Sequence, residues 1–203
     1  MQRYLNWRNL YFAAMMFWSV IVYALLGLGG GPVEENSRAG EFADTLQWIP
    51  AKKLVWSDFK ADAPRSRFAA YTFTVITMDY SITSSGKSLK ANFSITSAFN
   101  RQKSWVKNSP ESKSDAILRH EQLHFDIAEL SARKLRKKLS EVKLSRERYA
   151  KQIQAAYDEV IGAGDAMQQA YDDETEHGLL RDEQKRWSDK IASELLSYID
   201  YSK

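Results

Sequence analysis

The sequence predicts an α+β fold, in which an N-terminal membrane helix precedes a small antiparallel sheet and a helical half follows. Three observations predict this order: an uncharged apolar run near the N-terminus, alternating apolar and polar residues before residue 108, and helical periodicity from residue 113. A sheet followed by helices is typical of α+β proteins. We divide the chain into a membrane or signal segment (1–33), a linker (34–46) and one domain (47–203), with the sheet in 47–108 and the helices in 113–203.

The apolar run predicts a membrane segment. No charged side chain occurs from Leu10 to Val33. A spanning helix needs about 20 apolar residues, whereas the core of a signal peptide needs about 7–15. Arg3 and Arg8 precede the run, so the positive-inside rule keeps the start of the chain in the cytoplasm and exports the rest. The length favours a single-pass anchor, and a cleaved signal stays open.

Alternation predicts a β-hairpin in the first half of the domain. Residues 68–82 and 88–100 are rich in β-branched and aromatic residues, and the glycine-containing segment 83–88 predicts a turn between them. The segments 52–59 and 102–106 are predicted to add shorter strands. In the second long strand, one face carries Ala91, Phe93, Ile95 and Phe99, and the other carries Asn92, Ser94 and Thr96.

The second half of the domain predicts three helices. Residues 113–142 contain no proline or glycine and place apolar residues and two histidines on one stripe. A second helix is predicted over 145–161, and the glycine-containing segment 162–167 is predicted to interrupt or kink it. A last helix is predicted over about 180–200.

Composition excludes several kinds of site. The chain has no cysteine, which excludes disulfides and zinc–thiolate sites. The formal charge is +3, and two of the basic residues belong to the membrane segment. The remaining part is nearly neutral, which gives little attraction to phosphate, so no nucleic-acid partner is predicted.

The segment "RHEQLHFD" (119–126) predicts a metal site. His120 and His124 lie four residues apart, so a helix places both on one face, where neutral imidazoles can bind one zinc ion at about 2.0–2.1 Å. Glu121 is turned by about 100° from His120 and is placed to act as general base rather than ligand. The alternative is a pair of core histidines satisfied by hydrogen bonds.

A catalytic zinc site needs a third protein ligand, and His177 is the predicted one. It is the third and last histidine of the chain, and Gly178 after it indicates a break in the backbone. Asp126 and Glu129 lie on other faces of the His120 helix. They are predicted either to hydrogen-bond the metal ligands or to lie at the surface. Four carboxylates near His177 compete for the third position: Asp172, Asp173, Glu174 and Glu176.

Three further features lie in the same helical half. Tyr171 could donate a hydrogen bond to the oxyanion of a reaction intermediate, and a packing role is equally compatible with the sequence. The acidic cluster 172–176 could orient the histidines or form a solvated helix end. The basic run "RKLRKK" (133–138) is predicted to be a solvated face near a helix C-terminus.

Several segments in this order resemble a known family: "LVWSDFKADAPRSRFAAYT", "SWV", "RHEQLHFDIAEL", "YDDETEHG" and "QKRW". The family comprises bacterial domains of unknown function described as predicted secreted zinc-dependent proteases. The resemblance covers roughly residues 50–195. It implies a zincin-like helix with zinc at His120 and His124, base chemistry at Glu121, and a functional histidine at position 177.

These observations predict an exported zinc metallopeptidase that uses one zinc ion and acts on a peptide or protein substrate. It would lie in the bacterial envelope, tethered to the inner membrane with the domain in the periplasm or outside, or secreted if the N-terminus is cleaved. Two alternatives stay open. One is a metal-stabilised binding or scaffold module, which would use the sheet aromatics Trp56, Phe59, Tyr71, Phe73, Phe93 and Phe99. The other is a zinc amidase acting on cell-wall peptide.

Overall fold

The structure is a computed structural model that describes residues 44–85 and 88–202. These residues form a mixed α+β fold with a small antiparallel sheet and three α-helices, in the predicted order. The predicted membrane segment (1–33) and residues 34–43 of the predicted linker lie outside the described residues. Within the described ranges, no helix is both long enough and apolar enough to cross a bilayer.

The sheet is built around one long hairpin. Strand β3 (Thr74–Ser85) pairs antiparallel with β4 (Ser88–Asn100), from Thr74 opposite Phe99 to Ser85 opposite Ser88. The short strand β1 (Thr45–Gln47) pairs with the other side of β4, so the strand order is β1-β4-β3. The predicted hairpin is therefore confirmed.

A second, two-stranded sheet joins β2 (Ala70–Tyr71) to β5 (Trp105–Val106). The predicted strand in 102–106 is thus confirmed, whereas the strand predicted over 52–59 is wrong. A short 3₁₀ helix occupies Trp56–Asp58 because the Asp58 carboxylate accepts a hydrogen bond from the Val55 amide at 3.0 Å and closes a local turn.

Helix α1 (Asp115–Glu141) lies between the sheet and the two other helices. The Ser114 side chain caps its N-terminus by accepting from the amide of Ile117. One cluster buries Ile76, Met78 and Ile95 of the sheet against Leu135 of α1. Because α1 is covered on all sides, every residue from His120 to Arg133 is buried.

Helix α2 (Tyr149–Thr175) continues without a break through 162–167, so the predicted interruption is wrong. The physical reason is close helix packing. A Cβ at Gly164 would lie 2.6 Å from Ser131 Oγ on α1, whereas a Cβ at Gly162 would meet no atom of the described residues within 4 Å. Gly164 lets α2 approach α1 closely rather than ending the helix. Helix α3 (Arg181–Ser197) follows, and a 3₁₀ turn covers Ile199–Tyr201.

Part of the basic run is buried, which corrects the prediction of a solvated face. Arg133 and Arg136 both bind Glu129 Oε1, at 2.9 and 3.1 Å. Arg133 also donates to the carbonyl of Leu195, and Arg136 donates to the carbonyl of Tyr201. This buried ion cluster fastens the C-terminal end of the chain to α1.

Three of the six sheet aromatics lie in the core. Phe59, Phe73 and Phe99 are buried in the core, and Phe59 packs edge-on against Phe99 with ring centroids 5.0 Å apart. Half of the rings assigned to the scaffold alternative are therefore core residues.

Candidate functional site

Two imidazoles of α1 meet at their Nε2 atoms. His120 and His124 are buried, their Nε2 atoms are 3.1 Å apart, and their rings are perpendicular, with an interplanar angle of 89°. The helix places them one turn apart on one face, as their spacing predicts. That face points at α2 and α3 rather than at the sheet.

Asp172 of α2 joins the two histidines. Its Oδ1 lies 3.1 Å from His120 Nε2 and 3.1 Å from His124 Nε2. The three atoms therefore form a triangle with three equal edges. Donors bound to zinc at about 2.0–2.1 Å in a tetrahedron would be separated by about 3.3–3.4 Å. The triangle is close to the size that one such ion requires.

The outer nitrogens of both imidazoles are held by glutamines. Gln168 Oε1 lies 2.6 Å from His124 Nδ1, and the Gln168 amide nitrogen donates to the carbonyl of His124 at 2.9 Å. Gln184 Oε1 lies 3.2 Å from His120 Nδ1. In a neutral imidazole, a proton on Nδ1 leaves Nε2 as an acceptor. Because each glutamine oxygen accepts the Nδ1 proton of its histidine, the Nε2 lone pairs of both imidazoles face Asp172.

Three acceptor atoms this close need positive charge between them, either as protons on the imidazoles or as a metal ion. Burial opposes ionisation of Asp172, but His124 and His120 outweigh burial and lower the pKa of this carboxyl below its usual range. Its Oδ2 is buried and finds no hydrogen-bond partner within 44–85 and 88–202. Two imidazole nitrogens and a carboxylate are ligands that zinc accepts, so the donor set fits the predicted metal.

His177 lies on the solvent side of this cluster. Its Nδ1 is 3.3 Å from Asp172 Oδ1, and one ligand atom each of His120, Asp172 and His177 lie within 4.8 Å of one another. Its side chain is 34% exposed, against 1% for Asp172. The structure therefore brings all three predicted histidines to one place and adds Asp172 in the middle.

A turn of unusual backbone geometry delivers His177. Helix α2 ends at Thr175, and Glu176, His177 and Gly178 all have positive φ, at 47°, 56° and 85°. Left-handed geometry costs a non-glycine residue on the order of 1–2 kcal/mol. Thr175 Oγ1 supports the turn by accepting from the amide of Gly178 at 3.1 Å.

Gly178 is required for a second reason, which is its approach to a histidine ring. A Cβ at this position would lie 3.0 Å from His120 Cγ and 3.1 Å from His120 Nδ1. The backbone of the turn therefore packs directly on the imidazole. The T-x-H-G segment is explained residue by residue: the threonine caps, the histidine reaches the cluster and the glycine fits against the ring.

Glu121 is the buried carboxylate beside the cluster. Burial raises its pKa to about 7, against the opposing effects of His120 and of hydrogen bonds from Thr72. Its Oε2 is buried and has no hydrogen-bond partner among the described residues. The Thr72 hydroxyl also donates to the Glu121 carbonyl at 3.4 Å, which ties the segment between β2 and β3 to α1.

Tyr171 packs against both imidazoles. Its ring stacks on His120 with centroids 4.7 Å apart and meets His124 edge-on at 4.8 Å. Its hydroxyl donates to Gln184 Oε1 at 2.7 Å. The predicted donation to a reaction intermediate stays a prediction, and the observed contacts are those of a positioning residue.

The other acidic candidates lie apart from the cluster. Asp173, Glu174 and Glu176 are exposed, and Glu174 binds Arg186 and the indole nitrogen of Trp187. Asp126 accepts from Trp48 Nε1 at 2.7 Å, and Glu129 belongs to the arginine cluster. Only Asp172, of the carboxylates considered, meets the histidines.

Sequence reasoning missed the two glutamines and ranked Asp172 below His177. One signal was present, because Gln168 and Asp172 are four residues apart and share a face of α2 with Tyr171 close by. No local signal identifies Gln184, which reaches His120 from a different helix.

The same segments carry the similarity to known proteins. Residues 52–178 match a family described as bacterial protein of unknown function (DUF922). No curated protein and no solved structure matches the chain. The match spans more than half of the chain and includes the two helix histidines, Asp172 and the T-x-H-G turn. This chain therefore belongs to the bacterial family of unknown function DUF922.

Proposed function

We propose that this chain is a zinc-dependent peptidase of the bacterial envelope, exported by its N-terminal segment and tethered or released there. The observation that carries this proposal is the convergence of His120 Nε2, His124 Nε2 and Asp172 Oδ1 at mutual distances of 3.1 Å, next to the unpartnered oxygen of Glu121. The zincin-like arrangement on α1 supports the reaction class.

We assign the zinc to His120, His124 and Asp172. Asp172 takes the third position because it is equidistant from both imidazoles and as deeply buried as they are. His177 contacts Asp172 from the solvent side. It therefore borders the position where a substrate would approach, and the proposal does not require it as a ligand.

A zinc ion held here would supply a water of lowered pKa and an acceptor for a carbonyl oxygen. The protein groups supply the rest. Glu121, at about 100° from His120 around the helix, would take a proton from the attacking water and return it to the leaving amine. Gln168, Gln184 and Tyr171 hold the imidazoles in place and so fix the distance between Glu121 and the substrate carbonyl.

A second candidate is the metal-stabilised module without turnover, and the enclosure of the site favours it. The side chains of His120, His124 and Asp172 are at most 4% exposed. A purely structural site, however, gives no reason for a buried, unpartnered carboxylate oxygen on Glu121, which is costly to keep. We therefore rank the peptidase first.

The deciding experiment combines zinc content with hydrolysis on the purified chain. Glu121→Gln is expected to retain one zinc per chain and to lose hydrolysis of an unfolded protein substrate. Asp172→Ala is expected to lose zinc, and His177→Ala to retain it. Retained turnover in Glu121→Gln would remove the mechanism, and zinc lost only in His177→Ala would return the third position to His177.

A parallel digestion separates the peptidase from the cell-wall amidase, since both would use the same zinc chemistry. Unfolded protein and purified cell wall are offered to the wild-type chain and to Glu121→Gln. Cleavage of the cell wall alone would assign the amidase, and absence of both activities with zinc still bound would assign the module.

A further inference from the structure

His177 is the most exposed residue of the proposed centre. Among the described residues of the cluster, its side chain is 34% exposed, whereas those of His120, His124 and Asp172 are 4%, 1% and 1% exposed. We therefore place the approach of a substrate on the side of His177, where the residues that surround His177 would meet it first.

Two segments border this approach, and we call them together the His177 rim. One is the loop containing Arg67 and Phe68, and the other is Leu179–Leu180 after the turn. The Phe68 ring lies 4.7 Å from the His177 ring, and the Arg67 guanidinium lies 4.9 Å from the centroid of Phe68. A continuous chain of contacts thus leads from Arg67 through Phe68 and His177 to Asp172.

The rim has an apolar part that is open to solvent. Leu179 is 76% exposed and Leu180 is 42% exposed. They directly follow Gly178, which packs on His120. Exposed leucines beside a candidate site offer contact area to an apolar side chain.

The rim also has a positive part. Arg67 is exposed and makes no ion pair with a carboxylate within 44–85 and 88–202. Glu176, the exposed acid of the neighbouring turn, forms no ion pair with it in the same ranges. By contrast, Arg186 on α3 binds both Glu174 and Glu183. Arg67 therefore has a guanidinium available for a carboxylate of a bound molecule.

We propose that the His177 rim selects peptides in which an apolar side chain is followed by a carboxylate. Leu179 and Phe68 contact the apolar side chain, and Arg67 binds the carboxylate. The carboxylate is supplied either by the C-terminus of the substrate or by an acidic side chain. This inference rests on the proposed peptidase and names the substrate class of the same site.

The test uses the full-length chain in detergent with zinc and four fluorogenic peptides that share one leucine, together with the same four peptides carrying alanine in its place. Two peptides end in a free carboxylate or a C-terminal amide, and two carry an internal glutamate or glutamine. Arg67→Gln is compared with Arg65→Gln, which makes the same charge change on an exposed residue of the same loop. Leu179→Ser tests the apolar part.

We expect a KM about twofold to fivefold lower for a carboxylate peptide than for its neutral partner, which is the upper part of the range of an exposed ion pair. Arg67→Gln should remove this difference, and Arg65→Gln should keep it. Leu179→Ser should raise KM for a leucine peptide more than for an alanine peptide. The pair of peptides that shows the difference identifies the source of the carboxylate.

The outcomes separate the rim from the proposed function. Hydrolysis with no carboxylate preference, or a preference unaffected by Arg67→Gln, overturns the rim and leaves the peptidase. If no peptide is cleaved, fluorescence polarisation measures binding of the same peptides. Carboxylate-dependent binding lost in Arg67→Gln then supports the rim and rejects the peptidase, and absence of binding rejects both.

Discussion

Two glycines on α2 should respond to the same substitution with opposite sign. Gly162→Ala places a methyl group where no atom of the described part of the chain lies within 4 Å, so the variant should gain the helix propensity of alanine, about 1 kcal/mol. Gly164→Ala gains the same propensity but places its Cβ 2.6 Å from Ser131 Oγ and 3.2 Å from Ser131 Cβ. Such overpacking costs about 1–3 kcal/mol, so Gly164→Ala should be destabilised by about 0–2 kcal/mol.

The two variants should therefore differ by about 1–3 kcal/mol in their free energy of unfolding. Urea denaturation of the purified chain, followed by circular dichroism, measures the difference, and a constant m-value would show that the denatured state is unchanged. Ser131→Ala in the Gly164→Ala background removes the tighter of the two contacts and should recover part of the loss.

The same pair has a consequence at the site, because α2 also carries Asp172. Asp172 lies eight positions after Gly164, which is about 12 Å along the helix. A shift of α2 away from α1 should lengthen the distance from Asp172 to both histidines and weaken zinc binding in Gly164→Ala but not in Gly162→Ala. Equal stabilisation by both substitutions would refute the reasoning that close helix contact requires glycine at position 164.

Three further predictions follow from named contacts. Gly178→Ala should lose zinc affinity as well as stability, because its Cβ would press on His120 at 3.0 Å and its φ is 85°. Zinc competition with a chelator measures the loss, and wild-type affinity would contradict it. Gln168→Leu, which removes the partner of His124 Nδ1 at 2.6 Å, should weaken zinc binding by about 10–100-fold, whereas Gln169→Leu on the exposed side of α2 should not. Hydrogen bonds from Lys60 and Gln102, together with Arg101, lower the pKa of Asp44 to about 2. The contribution of Asp44 to stability is therefore complete above its ordinary pKa of 3.8 and is lost as the pH falls towards 2. Asp44→Asn should flatten the decline of stability between about pH 4 and pH 2, and an unchanged slope would oppose this reasoning.

The α1 helix and its histidine pair were predictable because local information determines them. A run without proline or glycine, an apolar stripe and a spacing of four place His120 and His124 on one face, whatever the rest of the chain does. The β3–β4 hairpin was predictable for a similar reason, since alternation and a turn are local signals. These elements needed no knowledge of tertiary contacts.

The remaining features depend on contacts between distant segments. The glycines of 162–167 predicted a helix break. At position 164, however, a glycine is needed because Ser131 of another helix lies against it. Asp172 was one of four neighbouring carboxylates near His177. Its position on α2 identifies it as the one that faces the histidines, but only when the position of α1 is known. Gln184 reaches His120 from α3, across 64 positions in the chain.

Burial of the three proposed ligand side chains has a kinetic consequence. With at most 4% of His120, His124 and Asp172 exposed, an ion bound among them could leave only past His177 or when α1 and α2 separate locally. Where the second route is the faster one, its release rate would follow the opening free energy of that helix pair rather than the strength of its bonds. Slow removal by a strong chelator, accelerated by mild denaturant, would accordingly measure the dynamics of the fold.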